Sequence, residues 1–486
     1  MDHGKGRGRP RPFSVAAGLA ALALAGCGPP DGAVVSEADK ASGAEAHSQL
    51  LAEFGGEYRG DEAAYVRALG ERLAAPAGLS GQCTFTLVNS DVVNAFAVPG
   101  CYIYITRGLM GVVNSEAELG AVLGHELGHI VARHSQRQQQ RSLLRSLGVF
   151  AVGLLTDSPA LTQIAGAAAG LFTLRYSRTH EYEADDLGIA YLHKAGLDPY
   201  EAADMLDALG RHERHLAATR GADEAHSIPE WARTHPLSAN RTRRALDTAG
   251  ATGLADNGLP ENRRPFLAAL DGMLYGDDPE QGFVIGRAFA HPGMRIAFEA
   301  PESYSLTNSP QAILIEGPGG MRGQFAGGRA RGGLEAYTGA LLKTLLKGAA
   351  VEVRSSTPAR VNGLDALLTE ATASADGKAV AVTVMAYAAG ASTYHFVMLS
   401  DPAADAARSL AALFGSFRLL GDAEVRGLRA RSIDVVTPGP GDTVRSLAGR
   451  MATANPLADF LMLNGLRENA RLTPGEPVKL VVAGAR

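Results

Sequence analysis

The sequence predicts an α+β chain, and three observations carry that expectation. A helix-patterned segment holds two histidines four residues apart, short apolar runs broken by Gly, Pro, Asn and Asp precede it, and strand-like runs alternate with two helical stretches beyond residue 282. The arrangement expected is a mainly helical domain with a small antiparallel sheet, then an α+β sandwich of one sheet with helices, then a small module. With 486 residues and 46% hydrophobic content, the chain can bury several cores.

At the start, Lys5, Arg7, Arg9 and Arg11 precede an apolar run from Ser14 to Ala25 that is too short to span a bilayer. Residues 1–26 therefore read as a secretion signal. The run ends in Leu24-Ala-Gly-Cys27, which resembles a bacterial lipobox. That resemblance implies cleavage before Cys27, lipid on its sulfur and, with Gly28 rather than Asp following, residence on the periplasmic side of the outer membrane. The formal net charge is -5, and loss of the basic leader leaves the remainder more acidic, which argues against nucleic acid as a partner. An oxidising compartment would permit a disulfide between Cys83 and Cys101, although the sequence alone does not give their separation.

Residues 27–42 are small and polar, as in a tether. Helical patterns follow at about 43–54 and 61–75. Thr84–Val88, Ala95–Val98 and Tyr102–Thr106 read as strands, with an edge that could take an extended chain as an added strand.

The segment Ala121–Arg133 comes next. His125 and His129 share one helix face, which makes a zinc half-site, and Glu126, about 100° further round, can reach a water in the metal's open position. Ser115 followed by Glu118 reads as a capping box. Leu119, Leu123, Leu127, Ile130 and Val131 fall on one buried arc, and Ala121, Gly124, Gly128 and Ala132 lie opposite, where small side chains let another segment approach. A further ligand is sought in Tyr176–Gly188. Glu181 and Asp185 share a face at i, i+4, so one can bind zinc while the other orients a ligand histidine; Glu183 points elsewhere, and His180 competes. Between the two helices, Leu143–Leu174 is apolar and rich in Gly and Ala, and reads as two short helices rather than a membrane hairpin. Pro199–Leu209 reads as a helix and Arg211–Ser227 as a charged, mobile stretch.

These two segments, with Asn94–Leu109 before them and Thr234-His-Pro-Leu-Ser-Ala-Asn-Arg241 after, resemble peptidase family forty-eight of the gluzincins. That family holds the CAAX prenyl endopeptidases, the HtpX protease and the periplasmic BepA and LoiP lipoprotein proteases. The likeness runs from about residue 45 to 247, within an expected peptidase domain of 43–249. It implies one zinc on His125, His129 and Glu181, with Asp185 behind the ligands, Glu126 as the base, Arg241 shaping the site, and His235 near the metal as an inhibitory fourth ligand or a transition-state donor. It further implies an endopeptidase anchored at the outer membrane, with misfolded or unassembled envelope proteins as substrates. Two other readings are a chaperone for outer-membrane proteins that rarely cuts and a peptidoglycan-directed peptidase.

Residues 250–282 read as a linker, from the Gly, Asn and Pro between Gly250 and Arg264. In 283–422, strand-like runs at Arg295–Phe298, Ala312–Ile315, Val351–Val353, Leu367–Ala371, Val380–Ala386 and Tyr394–Leu399 alternate with helices at about 334–347 and 403–415, and no catalytic constellation is visible. His291-Pro292 echoes His235-Pro236 but lacks an arginine at the same offset, and is expected to be structural. Finally, 430–483 reads as strand, two short helices and strand, and resembles a LysM-like module, which implies peptidoglycan as a further partner.

Overall fold

The computed structural model describes residues 35–137, 176–220, 231, 234–329, 332–346, 349–375 and 378–484. Cys27 and Leu143–Leu174 lie outside them.

Helix α1 (Glu37–Glu53) begins where Ser36 accepts the Asp39 N–H, inside the expected tether. Its Gly43 is seated under the Pro99–Tyr102 turn so closely that a Cβ there would lie 2.2 Å from the Pro99 carbonyl oxygen, which fixes the helix on the sheet. After α2 (Asp61–Ala74) come β1 (Thr84–Val88), β2 (Ala95–Val98) and β3 (Tyr102–Thr106), in the order β1-β3-β2. The pairing corrects the expectation of an antiparallel sheet: β2 and β3 form an antiparallel hairpin, but β1 runs parallel to β3. Strand β3, with Ile103, Tyr104 and Ile105 fully buried, takes the centre, so the hairpin turns its second strand toward β1. Cys83 and Cys101, at the ends of β1 and β3, are joined in a disulfide.

Helices α3 (Arg107–Val112) and α4 (Glu116–Val131) follow. At the start of α4, Ser115 accepts the Glu118 N–H at 2.9 Å, while the Glu118 carboxylate takes the N–H of Asn114 rather than that of Ser115. Helix α5 (Arg178–Lys194) crosses α4 on its small-residue flank: a Cβ on Gly124 would lie 3.1 Å from the Gly188 backbone, and one on Gly128 would lie 2.9 Å from the Ala184 carbonyl oxygen. Contact this close lets side chains from two helices converge on one point. Helix α6 (Glu201–Arg220) runs well past Leu209, the end expected for it, and α7 (Ala239–Gly250) packs beside α5 and α6.

Residues 250–282 carry α8 (Arg263–Leu270) and β4 (Leu274–Tyr275), so they are more than a linker. Beyond them lie β5 (Phe283–Ile285), β6 (Ala288–His291), β7 (Ile296–Glu299), β8 (Ser305–Asn308), β9 (Ile313–Glu316), β10 (Arg322–Arg329), α9 (Leu334–Leu345), β11 (Ala350–Val361), β12 (Leu364–Ala375), β13 (Lys378–Ala389), β14 (Ser392–Ser400), α10 (Ala407–Gly415) and β15 (Arg418–Leu419). They form two sheets where one was expected, seven strands in the order β11-β12-β13-β14-β10-β9-β8 and four in the order β15-β7-β6-β5. Alternation along β14 explains the layering: Phe396 and Met398 enter a core with Phe298, Phe325 and Phe417, while Val397 and Leu399 face Leu342 and Leu346 at α9. His291 is tied to local backbone, to Glu280 O at 3.1 Å and to the N–H of Met294 at 3.2 Å.

After α11 (Asp422–Gly427), the terminal segment folds as β16 (Arg431–Val436), α12 (Val444–Ala448), α13 (Pro456–Asn464) and β17 (Val478–Ala483), with β16 pairing both β17 and β4. It is joined to the helical domain by a buried lysine: Lys479 Nζ donates to Gly111 O at 2.7 Å and Val113 O at 2.8 Å, at the end of α3.

Candidate metal centre

Among the described residues, four side chains from three separate segments converge into one group that could hold a metal: His125 and His129 of α4, Glu181 of α5 and His235 of the loop before α7. All four are buried. His125 Nε2 lies 3.0 Å from His129 Nε2 and 3.2 Å from His235 Nδ1, and Glu181 places its oxygens 3.2 Å from His235 Nδ1 and 3.6 Å from both helix-borne imidazoles. A tetrahedral zinc with bonds of about 2.0–2.1 Å has ligand atoms about 3.3 Å apart. The residues fit such an ion: the four donors lie close to these separations, and with the His125 Nδ1–H turned to Asp185 its Nε2 lone pair faces the group.

Each ligand candidate is held from behind. His125 Nδ1 is 2.9 Å from Asp185 Oδ1. Asp185 in turn receives two N–H bonds from Arg241, at 2.9 and 2.7 Å, and the third guanidinium nitrogen lies 2.9 Å from Glu181. Arg241, itself buried, thus spans a ligand candidate and the carboxylate that orients another. Its charge and the His125 contact hold Asp185 well below the usual carboxylate range against the upward push of burial. The Glu181 carboxyl is also lowered, chiefly by His235, despite its burial. His129 is pushed well below its ordinary value by burial and then by His125, as a neutral ligand requires.

Glu126 stands beside this group, with Oε1 3.6 Å from His235 Nε2. Burial pushes its carboxyl up to about 7, His125 opposing and Glu181 adding to the rise. A base poised near neutrality suits proton transfer. The N–H of Ala97 faces the same carboxylate. Because Thr106 N bonds Asn94 O, alternation puts the polar groups of Phe96 toward β3 and those of Ala95 and Ala97 on the side of edge strand β2 away from β3, where Glu126 lies.

Three residues escaped the sequence reading. Tyr176 stacks on His129 at 4.1 Å, Trp231 stacks on His235 at 4.3 Å, and His134 meets His129 Nδ1 at 2.9 Å. His180 does not belong to the four-residue group; it stacks on His134 at 4.3 Å.

Two helices carrying an HExxH pair and a glutamate, closed by a buried arginine, define a zinc metallopeptidase domain. Residues 61–249 match Peptidase family M48. The beta-barrel assembly-enhancing protease of Yersinia pestis is 32% identical over 195 residues, covering 38% of each protein. Its counterpart in Escherichia coli strain K12 is 29% identical over the same length. The mitochondrial metalloendopeptidase OMA1 of Arabidopsis thaliana is 31% identical over 158 residues, 32% of this chain and 30% of its own. The chain thus spans well under half the length of the curated relatives it matches. Among solved structures, the cyanobacterial PsbP of Synechocystis aligns with 28% of this chain and 98% of its own at 11% identity and a TM-score of 0.23, too slight a likeness to carry an argument.

Proposed function

We propose that this chain is a zinc endopeptidase of the bacterial envelope that cuts misfolded or unassembled outer-membrane proteins. The observation that carries the reading is the buried group of His125, His129 and Glu181 at tetrahedral spacing with Glu126 beside it. When bound, zinc lowers the pKa of its water toward neutrality and polarises the scissile carbonyl. The rest falls to the protein: an extended substrate pairs along edge strand β2 beside Glu126, Glu126 takes the proton of the attacking water, and the same carboxyl delivers it to the leaving amine. Binding without cleavage would not need a carboxylate beside the four-residue group. The substrate class is supported by the name of the Yersinia and Escherichia relatives, and the outer-membrane anchor by the lipobox-like run ending at Cys27. The terminal β16–β17 segment is proposed as a LysM-like module that holds the enzyme near peptidoglycan.

His235 is proposed as a resting fourth ligand that excludes the attacking water, with its Nε2 turned toward Glu126. His235→Ala should then raise cleavage of an unfolded test protein, whereas loss of an oxyanion donor would lower it by roughly 10²-fold or more. The whole reading is tested by comparing the envelope proteomes of cells carrying wild type and Glu126→Gln. Envelope proteins accumulating with the mutant would name the substrates; identical proteomes, together with no cleavage of unfolded protein by purified wild type, would sink it.

A further inference from the structure

We propose that His134 is a positioning residue for the metal centre: it accepts the Nδ1–H of His129 and so holds that ring with its Nε2 facing the metal. The inference rests on the reading that His129 is a zinc ligand.

The backbone makes a detour to put His134 there. Helix α4 ends at Val131, and the next turn runs through Arg133 at φ 52°, a left-handed conformation that side-chain-bearing residues seldom adopt. The reversal folds His134 back under the helix, where it is wholly buried, with its Nδ1 2.9 Å from His129 Nδ1. Two imidazole nitrogens at that distance need one proton between them. Since His129 presents Nε2 to the group it shares with His125 and Glu181, its proton sits on Nδ1, and His134 Nδ1 is the acceptor. Neutral His134 then carries its own proton on Nε2, which is 3.1 Å from Glu183 Oε2. Glu183 is partly exposed and also receives Arg137 Nη1 at 2.9 Å, so the chain of donors ends at a solvated ion pair. One tautomer assignment satisfies every nitrogen along this path.

The two helix-borne histidines are therefore held in different ways. His125 donates directly to a buried carboxylate, Asp185, whose charge Arg241 balances. A second carboxylate behind His129 would join Glu126, Glu181 and Asp185 in the same buried volume without a second arginine. An imidazole supplies the acceptor without the charge, and passes the demand for a carboxylate outward to Glu183.

The test is zinc affinity of the purified full chain, measured by competition with a chromogenic chelator. His134→Leu, which removes the acceptor, should bind zinc about 10–100-fold more weakly. His134→Asn, whose Oδ1 can take the place of Nδ1, should recover most of that loss, which a merely space-filling role would not predict. Thermal unfolding of the metal-free chains checks that the fold is intact. Should His134→Leu fail to fold, the comparison of His134→Asn with Glu183→Ala stands in, with near-normal affinity expected in the first and weakened affinity in the second. Wild-type affinity in His134→Leu, or no recovery in His134→Asn, would overturn the proposal. So would a histidine ¹H–¹⁵N spectrum of the zinc-loaded chain showing His129 bound through Nδ1. A wild-type chain that takes up no zinc would overturn the metal reading itself, and that outcome is visible before any variant is compared.

Discussion

Helix α4 carries two clusters of buried charge, and they are balanced in opposite ways. At its histidines, Arg241 and the imidazoles keep Glu181 and Asp185 ionised, so the cluster presents negative charge and lone pairs to a cation. At its first turn, burial pushes Glu118 up to about 7 and Glu201 up to about 9, and pushes the Lys479 ammonium well down, so that cluster leans toward neutrality. The first is a site for chemistry and the second a joint, where the terminal module meets the helical domain. The difference shows how one helix can hold a reactive centre: the charges at the metal are compensated locally, and the other end is clamped by groups that prefer to be uncharged when buried.

The largest effect expected from breaking this contrast lies at the metal. His125→Ala and Glu181→Ala should lose zinc and, with it, all cleavage. Glu126→Gln should keep one zinc per chain and lose cleavage by at least about 10²–10⁴-fold, because the base is not a ligand. Metal analysis of the purified variants checks this, and full zinc in Glu181→Ala would remove that residue from the centre.

A smaller effect, on stability rather than chemistry, is expected at the joint. Lys479→Ala leaves the carbonyls of Gly111 and Val113 without their buried donor and removes a basic neighbour of Glu118. It should cost about 1–3 kcal/mol in denaturant unfolding while the folded fraction still takes up zinc. Unchanged stability would mean that the module is not clamped through Lys479.

The same contrast decides what was legible in the sequence. His125, Glu126 and His129 could be read because helical spacing alone puts them together, and Glu181 with Asp185 for the same reason. Gly124 and Gly128 announced a close neighbour, and Gly188 and Ala184 meet them there. His235 and Arg241 came only from the family likeness, since no local spacing ties them to α4. His134 was invisible because its role depends on one left-handed residue, Arg133, that reverses the chain. The joint was invisible too: Lys479 lies hundreds of residues from Glu118 in an ordinary-looking strand. β4 is two residues long and exists because β16 pairs with it, so no pattern within 250–282 could reveal it. The parallel pairing of β1 with β3 depended on which strand took the centre, a competition settled only by packing.

The last and smallest effect is a pH dependence at the joint. The Glu201 carboxyl accepts the Ser115 hydroxyl and is raised by burial, and then by Glu118, from an ordinary value of 4.5 to about 9. Between those values the folded chain binds a proton at Glu201 that the unfolded chain has released, so this group's contribution to stability is full below about 4.5 and is lost as pH rises toward 9. Lys479 works with the opposite sign, since its lowered value means the unfolded chain binds the proton that the folded chain gives up, and stability from that source rises with pH up to its ordinary value of 10.5. Glu201→Gln cannot ionise, so it should remove the falling contribution and expose the rising one. Thermal unfolding of metal-free wild type and Glu201→Gln, compared at about pH 5 and pH 9, reads the difference with the zinc equilibrium removed from both arms. Wild type should lose more stability over that interval than the variant; equal or smaller loss would show that Glu201 is ionised in the folded chain and that the joint is charged after all.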